Sequence, residues 1–534
     1  QMLISRDADR AVVFSQIYPW TLPEGHPLHD LIGEQIDEQI GWMWRVNGLS
    51  KITVLDISDR SEPTLVRELF VEGSYQTARL ADGSVRVGSF AQIAVPVHYG
   101  CNWYWNYDDP DGLKQARDQA IAAIKSANVG DMVPRIHERL PSGQLQTHAL
   151  TGRGCRGFYR PGDSNGRGFT SILSLDLFGT SMQYDADHVV SNYSQLYATK
   201  DSLYIAEAAQ DWWWFWWNDG SDDQTNIHKF DISTPGKAFY RCSGRVDGIL
   251  NNQFSLSEYE GFLRVASTTN PWNRWWEEEP EPSEKHIFVL EPQGGKLEVV
   301  GHVGGIAKGE RIFASRFVGN KGYLVTFVQT DPLFTLDLSD PTNPEVVGEL
   351  HIPGFSNYLH PIDDDHLLGI GVGGDENGAN WRTQVSLFDA SDFANPTRDD
   401  ALELALPGGW SWSEARWDHK AFQYWAPEKL LAVPVSTYSY DNLAGHYDYL
   451  STLELVSVDL VDGLASYGTI DHSNFFNSDP DYYWSYTDVR RSIFMGDFVY
   501  AISDRGITVH SLGGLPMVES QPLPGYTGEW YWWW

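Results

Sequence analysis

Cysteine is nearly missing from this 534-residue chain: there are three, Cys101, Cys155 and Cys242. None stands in a Cys-x-x-Cys pair, which removes the common structural zinc site. Cys101 and Cys155 bracket one long segment and would staple it in an oxidising compartment. Cys242 lies in an apolar, strand-like run and reads as a buried thiol. Positive charge is short as well. Lys and Arg total 38 against 72 Asp and Glu, a formal net charge of −34. That excludes a nucleic-acid binder working by phosphate neutralisation, which needs a basic face. Mutually repelling acidic surfaces keep a protein soluble, and salt screens their cost, so an extracellular setting fits. No apolar run approaches the roughly 18 residues that a membrane helix needs. His-Glu-x-x-His and P-loop motifs are absent, and no catalytic residue is expected from a motif. No leader is visible, and the opening on Gln1 suggests a processed or partial N-terminus.

What the chain does have is a repeated phrase. Two or three β-formers run into an acidic or polar residue at Asp56, Asp176, Asp231, Glu291, Asp337, Asp389, Asp459 and His510. After a first gap of 120 residues the copies follow at 46 to 70. Strand-like repeats of roughly 40 to 50 residues are the signature of propeller blades. One blade cannot bury both of its faces, so the repeats imply a single β-propeller domain over 1–534. The turn phrase Asp-x-Ser-Asp-x-x-x-Pro recurs at 56–63, 337–344 and 389–396, where Asp or Ser can bond the turn backbone and Pro sets the next bend. The reading is all-β: four-stranded antiparallel blades, eight in number, or seven if the N-terminal strand pair completes the last one.

The strands expected to open the blades are LISRDAD, YQTARL, YSQLYA, NQFSLSEY, RIFASRF, NYLHPID, HKAFQYW and RRSIFM. On that assignment the segments 18–50, 93–168, 210–224, 270–284, 373–382 and 436–450 are insertions, all leaving on one face, and 516–534 is a C-terminal tail. Two insertions look partly helical. Ile32, Ile36 and Ile40 repeat every four residues, and PDGLKQARDQAIAAIKSA opens on Pro-Asp with an apolar stripe at Leu113, Ala116, Ala120 and Ile124.

The phrases NNQFSLSEYEGFLRVASTT, ERIFASRFVGNKGYLVTFVQTDPLFTLDLSDPTNPEVVGELHIPGFSNYLHPIDDDHLLGIG, WSWSEARWDHKAF and VRRSIFMGDFVYAISD carry a family likeness. From about residue 50 to 515 the chain resembles bacterial and archaeal secreted proteins containing a C-terminal β-propeller domain, distantly related to WD-repeat propellers. The resemblance implies export and a propeller. It carries over no reaction and no catalytic residues. Members often have a further N-terminal segment, which this sequence does not show.

The insertions hold the candidate sites. Aromatic clusters place Trp103 and Trp105, then Trp212, Trp213, Trp214, Trp216 and Trp217, on the insertion face. Trp272, Trp275, Trp276, Trp410 and Trp412 join them there. Such runs either fold over one another as a satellite core or present a recognition surface. Sugars suit the second case, because their C–H faces stack on rings while carboxylates take their hydroxyls. Among the acidic loops, Asp219, Asp222 and Asp223 are the candidate calcium ligands, since calcium takes six to eight oxygens. Asp108, Asp109 and Asp111, and Asp363, Asp364 and Asp365, read as solvated turns. His360, His419, Arg490 and Arg491 are expected to converge at the channel mouth. The leading expectation is a secreted or cell-surface, non-catalytic propeller that binds a protein or glycan through its Trp-rich acidic face. A copper- or zinc-dependent oxidase or hydrolase centred on His360 and His419 is the rival, and a self-assembling surface protein is the third reading.

Overall fold

The computed structural model describes residues 1–23, 25–37, 41–94, 110–140, 142–149, 157–162, 166–178, 184–209, 223–270, 282–327, 331–374, 382–404, 410–441, 446–472, 475 and 488–523. The chain forms two compact units, Gln1–Gln253 with Leu290–Val299, and Phe254–Val289 with Val300–Trp534.

The first unit is a succession of antiparallel meanders. Met2–Ser5, Arg10–Ile17, Leu49–Asp56 and Thr64–Glu72 form one sheet. Ser74–Ala81, Ser84–Gln92, Gly168–Asp176 and Tyr184–Ser191 form the next, and Ser194–Ala198, Ser202–Ala208, Gln224–Asp231 and Phe239–Asp247 the third. The N-terminal strand pair therefore belongs to the sheet of Leu49–Asp56, with a continuous register from Arg10↔Asp56 to Ile17↔Leu49.

The second unit repeats the arrangement. Its sheets open with Leu256–Tyr259, Arg311–Val318, Phe355–Pro361, the paired pieces Trp410–Trp412 and Gln423–Trp425, and Val489–Met495. Each run expected to open a repeat contributes to its first strand, HKAFQYW only through Gln423–Trp425. The third strand of six sheets ends on the repeated acid: Asp56, Asp176, Asp231, Asp337, Asp389 and Asp459. There the carboxylate accepts from the backbone N–H two residues on, at 2.9 Å from Ser58, 3.0 Å from Phe178 and 2.7 Å from Ser391. This Asx turn releases the chain from the ladder into the fourth strand.

Burial explains the composition of the strands. Middle strands are covered on both faces and read as nearly unbroken apolar or small runs, as in Gly168–Asp176 and Ser202–Ala208. The core is a series of slabs between consecutive sheets. Ile52, Val54, Val85, Val87 and Leu173 make one in the first unit, and Leu368, Ile370, Val385, Leu431 and Val456 make one in the second. Each fully buried aliphatic side chain contributes about 1.5–3 kcal/mol. At Gly371 the backbones close to the point that a Cβ would lie 1.7 Å from the Phe355 carbonyl oxygen, so only glycine fits.

Four expectations change. The Ile32, Ile36 and Ile40 spacing is not a continuing helix: the helix His29–Ile32 stops at Gly33, and Gly33–Asp37 pairs with Gly41–Trp44 as a hairpin. A four-residue repeat is a multiple of the strand period as well as near the helical one, so it could not separate the two. The 93–168 insertion does contain the helix Pro110–Ser126, whose Ile121 and Ile124 are exposed. It then adds Arg135–Arg139 and Leu145–Ala149 to the edge strand Thr64–Glu72 of the first sheet. The segment 436–450 is mostly paired strand, since Leu430–Asp441 and His446–Asp459 run together to Asp441↔His446. Part of the expected tail, Met517–Pro522, is the fourth strand of the last sheet and is exposed along its whole length.

Candidate functional site

The second unit gathers its chemistry on the first strands of its sheets. Strand Phe355–Pro361 carries Tyr358 and His360 two residues apart, hence on one face. The next first strand is interrupted between Trp410–Trp412 and Gln423–Trp425 by two single-turn 3-10 helices, Glu414–Arg416 and His419–Ala421. Ser413 caps the first, accepting from the Ala415 N–H at 3.2 Å. Asp418 caps the second, accepting from the Lys420 N–H at 3.0 Å. His419, expected on a strand, thus sits in a turn, because the Asp418 cap offers the backbone an alternative to the ladder.

These turns point acids at the basic pair of strand Val489–Met495. Arg490 donates Nε and Nη2 to the two oxygens of Glu414 at 3.0 and 2.9 Å, a bidentate fork. Arg491 lies 3.0 Å from Glu414 and donates to Asp418. Arg416 donates to Asn357 Oδ1 at 2.9 Å and spreads its guanidinium over the Trp417 ring. Burial acts to raise the Glu414 carboxyl, but the hydrogen bonds from Arg490 and Arg491 outweigh it and hold the group below its usual range. Burial lowers Arg416 to about 10, while the Glu414 hydrogen bond raises Arg490.

Beside the ion pairs lies an aromatic cluster. His360 Nδ1 is 3.3 Å from the Tyr358 hydroxyl, and the His360 ring faces Phe422 and Tyr424 at centroid distances of 5.3 and 5.9 Å. His419 meets Phe254 edge-on at 5.0 Å and Tyr358 at 6.2 Å. His360 and His419 are therefore brought to one place, each 6.2 Å from the Tyr358 ring, as are Arg490 and Arg491 on Glu414. Burial, helped by the Arg316 charge, pushes His360 down to about 4, so its ring is neutral near pH 7. Among the described residues, no group of three or more His, Cys, Asp or Glu is placed to hold a metal ion. The arrangement offers paired charges and rings, with two indoles at its edge: Trp410 is 54% and Trp417 67% exposed, and Trp412 is half-buried.

Trp417, Glu414, Arg416 and Asp418 were not singled out from the sequence. The signal was the alternation of rings and charges in WSWSEARWDHK, with Ser413 and Asp418 each two residues before the N–H it caps. Trp103, Trp105, Trp212, Trp213, Trp214, Trp216, Trp217, Trp272, Trp275, Trp276, Asp219, Asp222, Cys101 and Cys155 lie outside the described residues. Asp223 is described, and its carbonyl accepts from the Gly248 N–H at 2.6 Å. In the acidic turn, Asp363 accepts from the N–H groups of Asp365 and His366, and Asp365 pairs with Lys321 at 2.7 Å. Cys242 is a buried free thiol, as expected. No helix among the described residues is long and apolar enough to cross a membrane.

Comparison with known proteins adds the following. A family described as Beta propeller domain matches residues 1–515. An uncharacterized protein of Methanocaldococcus jannaschii is 42% identical over 216 residues, 40% of this chain and 31% of its own length. One from Archaeoglobus fulgidus is 43% identical over 200 residues, 38% of this chain and 28% of its own length. The matches thus span under a third of these curated relatives. Among solved structures, the β-propeller domain of Nup133 from Vanderwaltozyma polyspora aligns with 66% of this chain and 89% of its own at 10% identity and a TM-score of 0.31. Sqt1 of Chaetomium thermophilum aligns with 61% and 85% at 12% identity and a TM-score of 0.29.

Proposed function

As the chain belongs to the Beta propeller domain family, we propose that it is a non-catalytic binding propeller working outside the cell or at its surface, with a glycan as ligand. One observation carries the reading. Trp410 and Trp417 present exposed rings beside a cluster whose charges already face partners, Arg490 on Glu414 and Arg491 on Asp418. Paired charges of this kind position a surface; they do not supply a nucleophile or a free general base. Exposed indoles beside carboxylates suit a pyranose, with ring on C–H face and hydroxyl on oxygen. Eight blades rather than seven is part of the proposal, supported by the N-terminal strand pair having its own sheet and the last sheet its own four strands.

The test is retention of the full chain on a panel of insoluble polysaccharides and a glycan array, parent against Trp410→Ala/Trp417→Ala. Expected is retention of a defined glycan by the parent, weakened at least tenfold in the double variant at an unchanged denaturation midpoint. Equal retention by both proteins, or none by the parent, overturns the glycan reading. Accumulation of the protein in the cytoplasm of its native host would overturn the extracellular one.

A further inference from the structure

Two histidines of the second unit that the candidate site does not use face each other across a pair of neighbouring strands. Strand Glu284–Gln293 carries His286, and strand Lys296–Ile306 carries His302. His286 Nδ1 and His302 Nε2 are 3.2 Å apart, with the rings inclined by 24° at a centroid separation of 5.3 Å. His302 is exposed and His286 half-buried, so the pair opens to solvent.

Three neighbours hold this geometry. Phe288 stacks on His302 at 4.4 Å and 13°, fixing one ring. Thr269 Oγ1 lies 3.2 Å from His286 Nε2, so the outer nitrogen of the other ring has its own hydrogen bond and Nδ1 is turned inward. Gly304 clears the space between them. A Cβ there would sit 2.5 Å from His286 Nδ1 and 3.0 Å from His302 Nε2. Gly304 is not in a left-handed conformation, so the backbone does not require glycine here; the imidazoles do.

We propose that His286 and His302 form a binding site for a divalent first-row transition metal. Metal–imidazole bonds of about 2.0–2.1 Å set two ligand nitrogens roughly 2.9 to 3.4 Å apart, depending on whether the angle between them is octahedral or tetrahedral. The observed 3.2 Å falls in that span. Imidazole favours Cu(II), Ni(II) and Zn(II) over Mg(II) and Ca(II). Glu284, on the same strand, is held by Lys308 at 2.6 Å, and no third ligating side chain joins the pair among the described residues. The site the proposal needs is the two-histidine clip itself, with both ring nitrogens aimed at one point.

The test uses the full chain stripped with EDTA, then Ni(II) titrated calorimetrically and Cu(II) followed by electron paramagnetic resonance. Since the chain holds 16 histidines, variants decide the assignment. His302→Phe keeps a ring on Phe288 and removes one ligand. Gly304→Ala keeps both ligands and fills the gap between them. Expected is one stoichiometric metal in the parent, with nitrogen coupling from two imidazoles, and affinity at least tenfold weaker in both variants. Affinity unchanged in the two variants, or no stoichiometric uptake by the parent, overturns the proposal. Should His302→Phe fail to fold, Gly304→Ala and His286→Gln carry the same comparison.

Discussion

At the scale of the residue, one acid closes sheet after sheet. Asp389 accepts from the Ser391 N–H and Asp231 from the N–H and hydroxyl of Ser233. An Asn keeps the accepting oxygen whereas an Ala does not, so Asp389→Asn should leave the denaturation midpoint nearly unchanged while Asp389→Ala costs about 1 kcal/mol. Equal losses in the two variants would show that charge, not the turn bond, matters. This role was legible in the phrase Asp-x-Ser, because an Asx turn is local. Buried histidines were not legible, since burial depends on partners distant in sequence. His188 is fully buried, its Nδ1 is 2.7 Å from Ser171 Oγ, and Phe158 stacks on its ring. Burial lowers it to about 4, and His360 and His472 move the same way. Below the ordinary value of 6.5 the unfolded chain takes up a proton that folded His188 refuses. Stability present above that value is therefore lost as pH falls from about 6.5 towards 4, on the order of 3 kcal/mol for His188 by the lower limit. His188→Phe should lower the midpoint at pH 7 yet shrink the fall between pH 6.5 and 4.5. A parallel fall in parent and variant would refute this.

At the scale of the element, the strands were legible and their additions were not. Period-two patterns and turn residues act within a few positions. The docking of Arg135–Arg139 on Thr64–Glu72 joins segments far apart in the chain. A buried acid stands at that joint. Glu72 has no exposed side-chain surface and accepts from Arg45 Nε at 3.1 Å and from the Arg135 N–H at 2.9 Å, with His137 Nε2 at 3.4 Å. Arg45 also donates to the Val133 carbonyl at 2.6 Å. Removing one partner of a buried pair leaves the other uncompensated, so Arg45→Met should destabilise by about 3–5 kcal/mol. Lys200→Met, which breaks the exposed pair with Asp82, should cost less than about 0.5 kcal/mol. Both are read as shifts of the chemical denaturation midpoint, and similar shifts for the two would contradict the assignment.

At the scale of the whole molecule, self-repulsion between acids stands out. A net charge of −34 opposes compaction, and at about 0.1 M ionic strength charges more than about 10 Å apart are largely screened. Thermal stability should therefore rise as sodium chloride goes from low millimolar to about half molar, more than a charge-neutral mechanism allows. A flat or falling midpoint across that series would count against it. Composition alone made this legible, as the repeat made the propeller legible. The ring-and-charge cluster around Tyr358 was only half so: its histidines and arginines stood out, but the turns that aim Glu414 and Asp418 at them are set by caps inside a broken strand. The meanders carry one more consequence. In the second unit Arg311–Val318, Lys321–Phe327, Asp331–Asp337 and Glu345–Ile352 of one sheet follow one another along the chain, as do Phe355–Pro361, His366–Gly373, Arg382–Asp389 and Thr397–Glu403 of the next. A crossover between two such genes that falls in the link between these two sheets exchanges whole repeats and splits neither. Descent can then proceed by duplicating or deleting one contiguous cassette at a time.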